Sequence, residues 1–317
     1  VLPPTAYRPP PAVIPRRTLG RTGEYVSALG LGGYHLGLVG TEREATRLVH
    51  EAIESGLTFM DNAWEYHQGK SEERMGKALA GRRDRVFLMT KCCTHGRDAK
   101  TAMRQLDESL RRLKTDYLDL WQLHEVAYHN DPEQAFVKGG AIEALETAKR
   151  QGKVRFIGFT GHKDPALHLR MLSYDFAFDA VQMPLNCFDA TFRSFELQVL
   201  PELLRRGIAP IGMKSLGGEG VAVKRRVVSA QDGLRYAMSL DVATTVSGID
   251  SQRVLRQNLR VARGFERMTP DAMQELRMRC AADAADGRFE LYKVTAKFEA
   301  DVGRKQHGFP PMEKAEA

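Results

Sequence analysis

From residue 28 onward the chain repeats one pattern. A short apolar run is followed by a longer stretch in which apolar residues recur every three or four positions. Runs of the first kind read as buried strands, and stretches of the second kind as amphipathic helices. The apolar runs fall at 28–31, 57–60, 86–89, 117–121, 156–159, 180–183, 209–212 and 243–246. Helical stretches are predicted near 42–55, 71–80, 101–113, 140–151, 165–173, 196–206, 230–240 and 252–263. Punctuation agrees with these bounds. Thr41 with Glu44 spells a capping box, in which hydroxyl and carboxylate satisfy each other's backbone N–H groups. Glu72 and Glu73 behind Ser71 suit the positive start of a helix. Gly56, Gly152 and Gly207 each stand between a helical stretch and the next run, where a residue with positive φ ends a helix.

Strands that alternate with helices imply a parallel sheet, and eight even repeats favour closure into a (β/α)8 TIM barrel over an open sheet. The segment 16–26, with its Arg21-Thr22-Gly23-Glu24 turn, predicts an N-terminal β-hairpin able to plug the bottom of the barrel. Residues 1–15, with Pro3, Pro4, Pro9, Pro10, Pro11 and Pro15, read as a flexible tail. Residues 16–317 read as one domain, with 264–317 a C-terminal extension that opens on a helix near 271–285.

Composition narrows the picture. The 317 residues carry a net charge of +7. The basic residues are spread along the chain, which argues against nucleic acid and suits a small anionic ligand such as a dinucleotide. No apolar stretch reaches the ~18 residues of a membrane span. Arg16-Arg17 lacks the apolar region of an export signal. The four cysteines, Cys92, Cys93, Cys187 and Cys280, show no metal-site spacing. The expectation is reduced thiols, no metal, a cytoplasmic location and a monomer or small homo-oligomer.

Chemistry in such barrels sits at the C-terminal ends of the strands. There the sequence places Asp61, Tyr66, Lys91 and His124. A tyrosine loses its proton near pH ~10, and a neighbouring ammonium favours the tyrosinate. Lys91 is therefore expected to lower Tyr66, with Asp61 holding Lys91 charged. His124 can orient a carbonyl oxygen, and Tyr66 can protonate it as hydride arrives at the carbon. Side chains cannot supply hydride, so a cofactor is required.

The segments 56–66 and 76–79, Thr90-Lys91, 116–124 and 153–158 together resemble the aldo-keto reductase family. The resemblance runs from about residue 16 to 263. It implies a nicotinamide cofactor, the tetrad Asp61, Tyr66, Lys91 and His124, and a small carbonyl or alcohol substrate. By position, it puts Thr160, Gly161 and Gln182 on the carboxamide and Met213 against the nicotinamide ring. Lys214 falls at the pyrophosphate, Ser215, Leu216 and Gly217 join the cofactor contacts, and the glycine-rich loop Gly217-Gly218-Glu219-Gly220 can fold over the dinucleotide. Gly33 and Tyr34 end the first strand at the same mouth. Ser247, Gly248 and Ser251 suit phosphate or ribose, and Gln257 and Asn258 the adenine. Tyr34, Trp64 and His124 face substrate. The family favours NADP(H), whereas Asp250 would repel a 2′-phosphate and leaves NAD(H) open.

Other readings exist for the same residues. Lys91 can form a Schiff base, as desolvated barrel lysines do. The barrel can also serve as a dinucleotide-binding redox sensor without turnover. The C-terminal Tyr292, Phe298 and His307 can wall the substrate pocket or pack outside it.

Overall fold

The computed structural model describes residues 13–93, 98–296, 298 and 299. Most of the proline-rich stretch, His95 and His307 lie outside the described residues. Two short strands, β1 (Arg16–Thr18) and β2 (Tyr25–Ser27), form the expected antiparallel hairpin. Eight parallel strands follow: β3 (Leu29–Gly32), β4 (Phe59–Met60), β5 (Phe87–Cys93), β6 (Leu118–His124), β7 (Val154–Thr160), β8 (Ala180–Pro184), β9 (Ala209–Met213) and β10 (Thr244–Gly248). They pair in chain order, and β10 closes on β3 to complete the barrel.

Alternation along each strand decides what enters the barrel. Phe59, Phe87, Met89, Leu120, Ala180, Ala209 and Ile211 form an interior apolar layer, joined by Phe156. Leu19 and Val26 of the hairpin belong to the same layer, so the hairpin plugs the N-terminal end. A β-carbon on Gly20 would lie 2.6 Å from the backbone nitrogen of Ala209, which fixes glycine at that approach. The odd residues of β5 continue upward from Phe87 and Met89 to Lys91. In β6 the even residues, paired with them, run from Leu120 to Gln122 and His124. In β8 the even residues run from Ala180 to Gln182. The interior thus changes from apolar to polar towards the C-terminal mouth.

The second apolar cluster lies between strands and helices and holds Leu88, Trp121, Val181 and the inner faces of the helices. The capping box of Thr41 and Glu44 is formed, opening the helix Glu42–Glu54. The stretch predicted as 196–206 is divided at Val199 into Phe195–Gln198 and Leu200–Arg206, because Pro201 occupies the first turn of the second piece. Four short helices, Gly33–Leu38, Asp131–Phe136, Val221–Lys224 and Leu291–Val294, are too brief to show a period in sequence. The extension begins with Pro270–Ala284 as predicted. Among the described residues no helix is long and apolar enough to cross a membrane.

Candidate active site

At the mouth, Lys91 Nζ donates to both oxygens of Asp61 at 2.9 Å and to the Asn62 carbonyl at 2.7 Å. It also stands 3.4 Å from the Tyr66 hydroxyl. Gln182 Nε2 donates to Asp61 Oδ2 at 2.9 Å. Asp61 directly follows β4, Lys91 lies within β5 and Gln182 lies in β8, so three strands position one ion pair. Tyr66 opens the turn Tyr66–Gly69, in which His67 and Gln68 both take positive φ. The Tyr66 ring meets His124 edge-on at 5.7 Å and Tyr34 edge-on at 5.4 Å. His124 is the last residue of β6, and its Nδ1 lies 2.5 Å from Glu65 Oε1.

The electrostatics differ from the sequence expectation in one respect. Burial, then the carboxylates of Asp61, Glu65 and Glu125, push the Tyr66 hydroxyl well above its ordinary value. Lys91 does not reverse that balance, so Tyr66 holds its proton at neutral pH. Burial lowers His124, partly opposed by Glu65, and lowers His162 much further. Burial also brings Lys214 down to about 8, with Glu125 opposing.

Several residues assigned to a dinucleotide line the same mouth. Thr160 Oγ1 and Gln182 Oε1 are buried and make no hydrogen bond among the described residues. A buried polar atom without a partner is costly, and an acceptor beside a hydroxyl matches a carboxamide. Thr160 ends β7 and sits opposite Gln182, and the Gly161 amide donates to the Gln182 carbonyl. On this observation the residues fit a nicotinamide group. Met213 ends β9 half-buried, and Lys214 takes positive φ (54°) in a turn where the Gly217 amide donates to its carbonyl. Ser215 is buried and Leu216 half-buried in that turn. Gly33 opens the helix Gly33–Leu38, and a β-carbon there would lie 2.5 Å from the Asp61 carbonyl. Gly248 ends β10 against the His35 ring.

Elsewhere the assigned residues bond one another. Asn258 Nδ2 donates to Ser247 Oγ at 3.0 Å. Ser251 caps the helix Gln252–Ala262 and donates to Asp250 Oδ1 at 2.9 Å. Gln257 is half-buried on that helix. Arg256 is held by Glu51 at 2.6 Å. Trp64 is half-buried: its Nε1 donates to Glu108 at 2.7 Å, and the Arg112 guanidinium lies over its ring at 5.5 Å. The helix Ala99–Leu113 thus holds this indole from one side.

Residues the sequence reading left aside also stand here. Glu65 precedes Tyr66 and Glu125 follows His124, so each carboxylate is carried in by a tetrad neighbour. Glu125 Oε2 lies 3.4 Å from His162 Nδ1. Both acids directly flank tetrad positions, which was the available signal. The C-terminal segment closes one side. The rings of Tyr292 and Phe298 lie 5.2 and 5.1 Å from Lys214 Nζ. Lys293, fully buried, pairs with Asp189 at 2.6 Å and Glu290 at 2.9 Å.

Comparison with known proteins adds to this geometry. A model described as the aldo/keto reductase family matches residues 28–233. The chain is 37% identical to L-galactose dehydrogenase of Arabidopsis thaliana over 155 residues, 46% of this chain and about half (48%) of that protein. It is 30% identical to 6-dehydroglucose reductase of Novosphingobium aromaticivorans, covering 76% of this chain and 79% of that one. Among solved structures, an aldo-keto reductase from Bacillus halodurans superposes with a TM-score of 0.70 at 24% identity, over 84% of this chain and 96% of that one.

Proposed function

The chain belongs to the aldo/keto reductase family, and from that premise we propose that it reduces an aldehyde or ketone to the alcohol, or runs the reverse, with NAD(P)H. Membership itself makes the chain an oxidoreductase of that family. The observation that carries the finer reading is Lys91, which joins Asp61 to the Tyr66 hydroxyl at the barrel mouth.

The nicotinamide supplies hydride when bound. Thr160, Gly161 and Gln182 would hold its carboxamide, Met213 its ring, and Lys214 with the Ser215–Leu216–Gly217 turn its phosphates. Ser247, Gly248, Ser251, Gln257 and Asn258 would serve the adenosine end. Tyr66, kept protonated, gives its proton to the carbonyl oxygen as negative charge develops there. Lys91 stabilises the tyrosinate left behind, and Asp61 keeps Lys91 in place. Glu65 fixes the His124 ring through Nδ1, so that the ring's other edge can orient the carbonyl. Tyr34 flanks Tyr66 on the side facing solvent.

The wall of Tyr34, His35, Glu65, Glu125 and His162 is rich in hydrogen-bonding groups, which favours a small hydroxylated carbonyl compound. The sugar-derived names of two relatives agree with this. NADP(H) is the proposed cofactor on the family resemblance; Asp250 is the residue that would favour NAD(H). Titrating the purified chain with NADPH and NADH in parallel, then assaying carbonyl-dependent oxidation of the tighter one, tests the reading. Saturable binding with turnover on hydroxylated aldehydes is expected. Failure of both dinucleotides to bind would overturn it, and tight binding without turnover on any carbonyl would favour a sensor.

A further inference from the structure

Of the four cysteines, two come together from distant parts of the chain. Cys187 follows β8, and Cys280 lies on the helix Pro270–Ala284. Their sulfurs stand 3.9 Å apart, an S–H···S contact between two buried thiols. A disulfide needs a sulfur separation of about 2.05 Å, so closure requires a shift of roughly two ångströms, within reach of side-chain rotation and a small helix movement. Cys92 and Cys93 are adjacent on β5, where alternation sends them to opposite faces. Cys187 and Cys280 are therefore the pair placed to join.

We propose that Cys187 and Cys280 are a peroxide-sensitive dithiol that closes into an intrachain disulfide. Cys280 is the attacking sulfur. It lies on the thinly buried helix Pro270–Ala284, so local opening exposes it to oxidant first, and its contact with Cys187, then Arg279, favours its thiolate against burial and Asp283. The Cys280 thiolate attacks one oxygen of hydrogen peroxide. The O–O bond breaks, sulfur is oxidised to the sulfenic acid, and hydroxide leaves. The Cys187 sulfur then attacks the sulfenic sulfur, and the S–S bond forms as the S–O bond breaks. The departing hydroxide and the Cys187 proton combine as water. Two thiols are oxidised by two electrons, and one peroxide becomes two waters.

Both thiols are buried, so oxidant must enter through local opening. The helix Pro270–Ala284 suits this, because only Leu276, Cys280 and Ala284 of its fifteen residues are buried. The bond would also have a mechanical effect. The loop after β8 carries Asn186 and Asp189, which bind Tyr292 and Lys293 of the segment that follows the helix. A covalent link would fasten the root of that segment where non-covalent contacts already hold it, and the segment packs on Lys214.

The test uses the purified full chain in three forms: wild type, Cys187→Ser and Cys280→Ser. Each is treated with stoichiometric hydrogen peroxide, alkylated and digested without reduction. In wild type the expected result is a linked peptide pair containing residues 187 and 280. Two free thiols should be lost per chain, and Tm should rise by roughly 5–10 °C, reversed by dithiothreitol. Neither variant should give the link, and Cys187→Ser should retain sulfenic acid at Cys280, trapped by dimedone. Recovery of both cysteines as free thiols in folded wild type would overturn the proposal. So would oxidation beyond sulfenic acid at Cys280 without a link. Should one serine variant fail to fold, the wild-type peptide map and thiol count decide alone.

Discussion

Lys91 is nearly inaccessible to solvent (1% exposed) and is surrounded by oxygen atoms of Asp61, Asn62 and Tyr66. A buried charge persists only when paired, and removing one member leaves the other unpaired in a poor solvent. Lys91→Met is therefore expected to lower stability by about 3–5 kcal/mol in urea unfolding and to abolish carbonyl reduction. Lys91→Arg, which keeps the charge but not the shape, should recover stability in part and turnover little. The identities of these residues were legible in the sequence because their spacing matched strand ends. The sign of the effect on Tyr66 was not. It is set first by burial and then by the carboxylates of Asp61, Glu65 and Glu125, which only the folded chain brings around the ring. The partner of the Trp64 indole N–H was not legible for a related reason: Glu108 is supplied by a helix more than forty residues away.

At the scale of elements, strand parity explains why the site is where it is. β5, β6 and β8 present apolar residues at the bottom of the barrel and polar ones at the top, so strand alternation orients these side chains at the mouth. The hairpin belongs to this design, because Leu19 fills the interior from below. Leu19→Ala is expected to destabilise by about 2–5 kcal/mol through cavity formation. Dinucleotide affinity should be unchanged, because the plug lies at the opposite end from the mouth. A thermal melt with a parallel titration checks both. The strands and long helices could be read from periodicity, since burial on one face imposes a repeat. The four short helices could not. Gly33–Leu38 and its kind are set by loop geometry and tertiary contacts, such as Arg74 donating to the carbonyls of Leu36 and Gly37.

Across the whole molecule, buried histidines tie stability to pH. His168 is enclosed by Phe159, Phe195 and Gly161, and burial pushes it down to about 4. Its folded value lies below the unfolded one near 6.5. The unfolded chain therefore binds the proton first as pH falls. The neutral ring's contribution is complete above pH about 6.5 and is lost progressively down to about 4, an effect of roughly 3 kcal/mol. His124 and His162 act in the same direction. Urea unfolding across that range should show stability falling with pH, and His168→Leu should reduce the slope. Constant stability between those values would contradict the burial argument. The C-terminal segment is the other whole-molecule feature: sequence suggested a pocket wall, and contacts from Tyr292 and Phe298 to Lys214 show which loop it covers.

The central claim is that Tyr66 gives the proton while the rest of the mouth binds the dinucleotide. Tyr66→Phe removes one hydroxyl and leaves the ring contacts with Tyr34 and His124 in place. Comparing its dinucleotide Kd and its kcat with those of the parent chain tests the claim most directly. Kd is expected to be unchanged and kcat to be lower by about 10²–10⁴-fold. An unchanged kcat would contradict it.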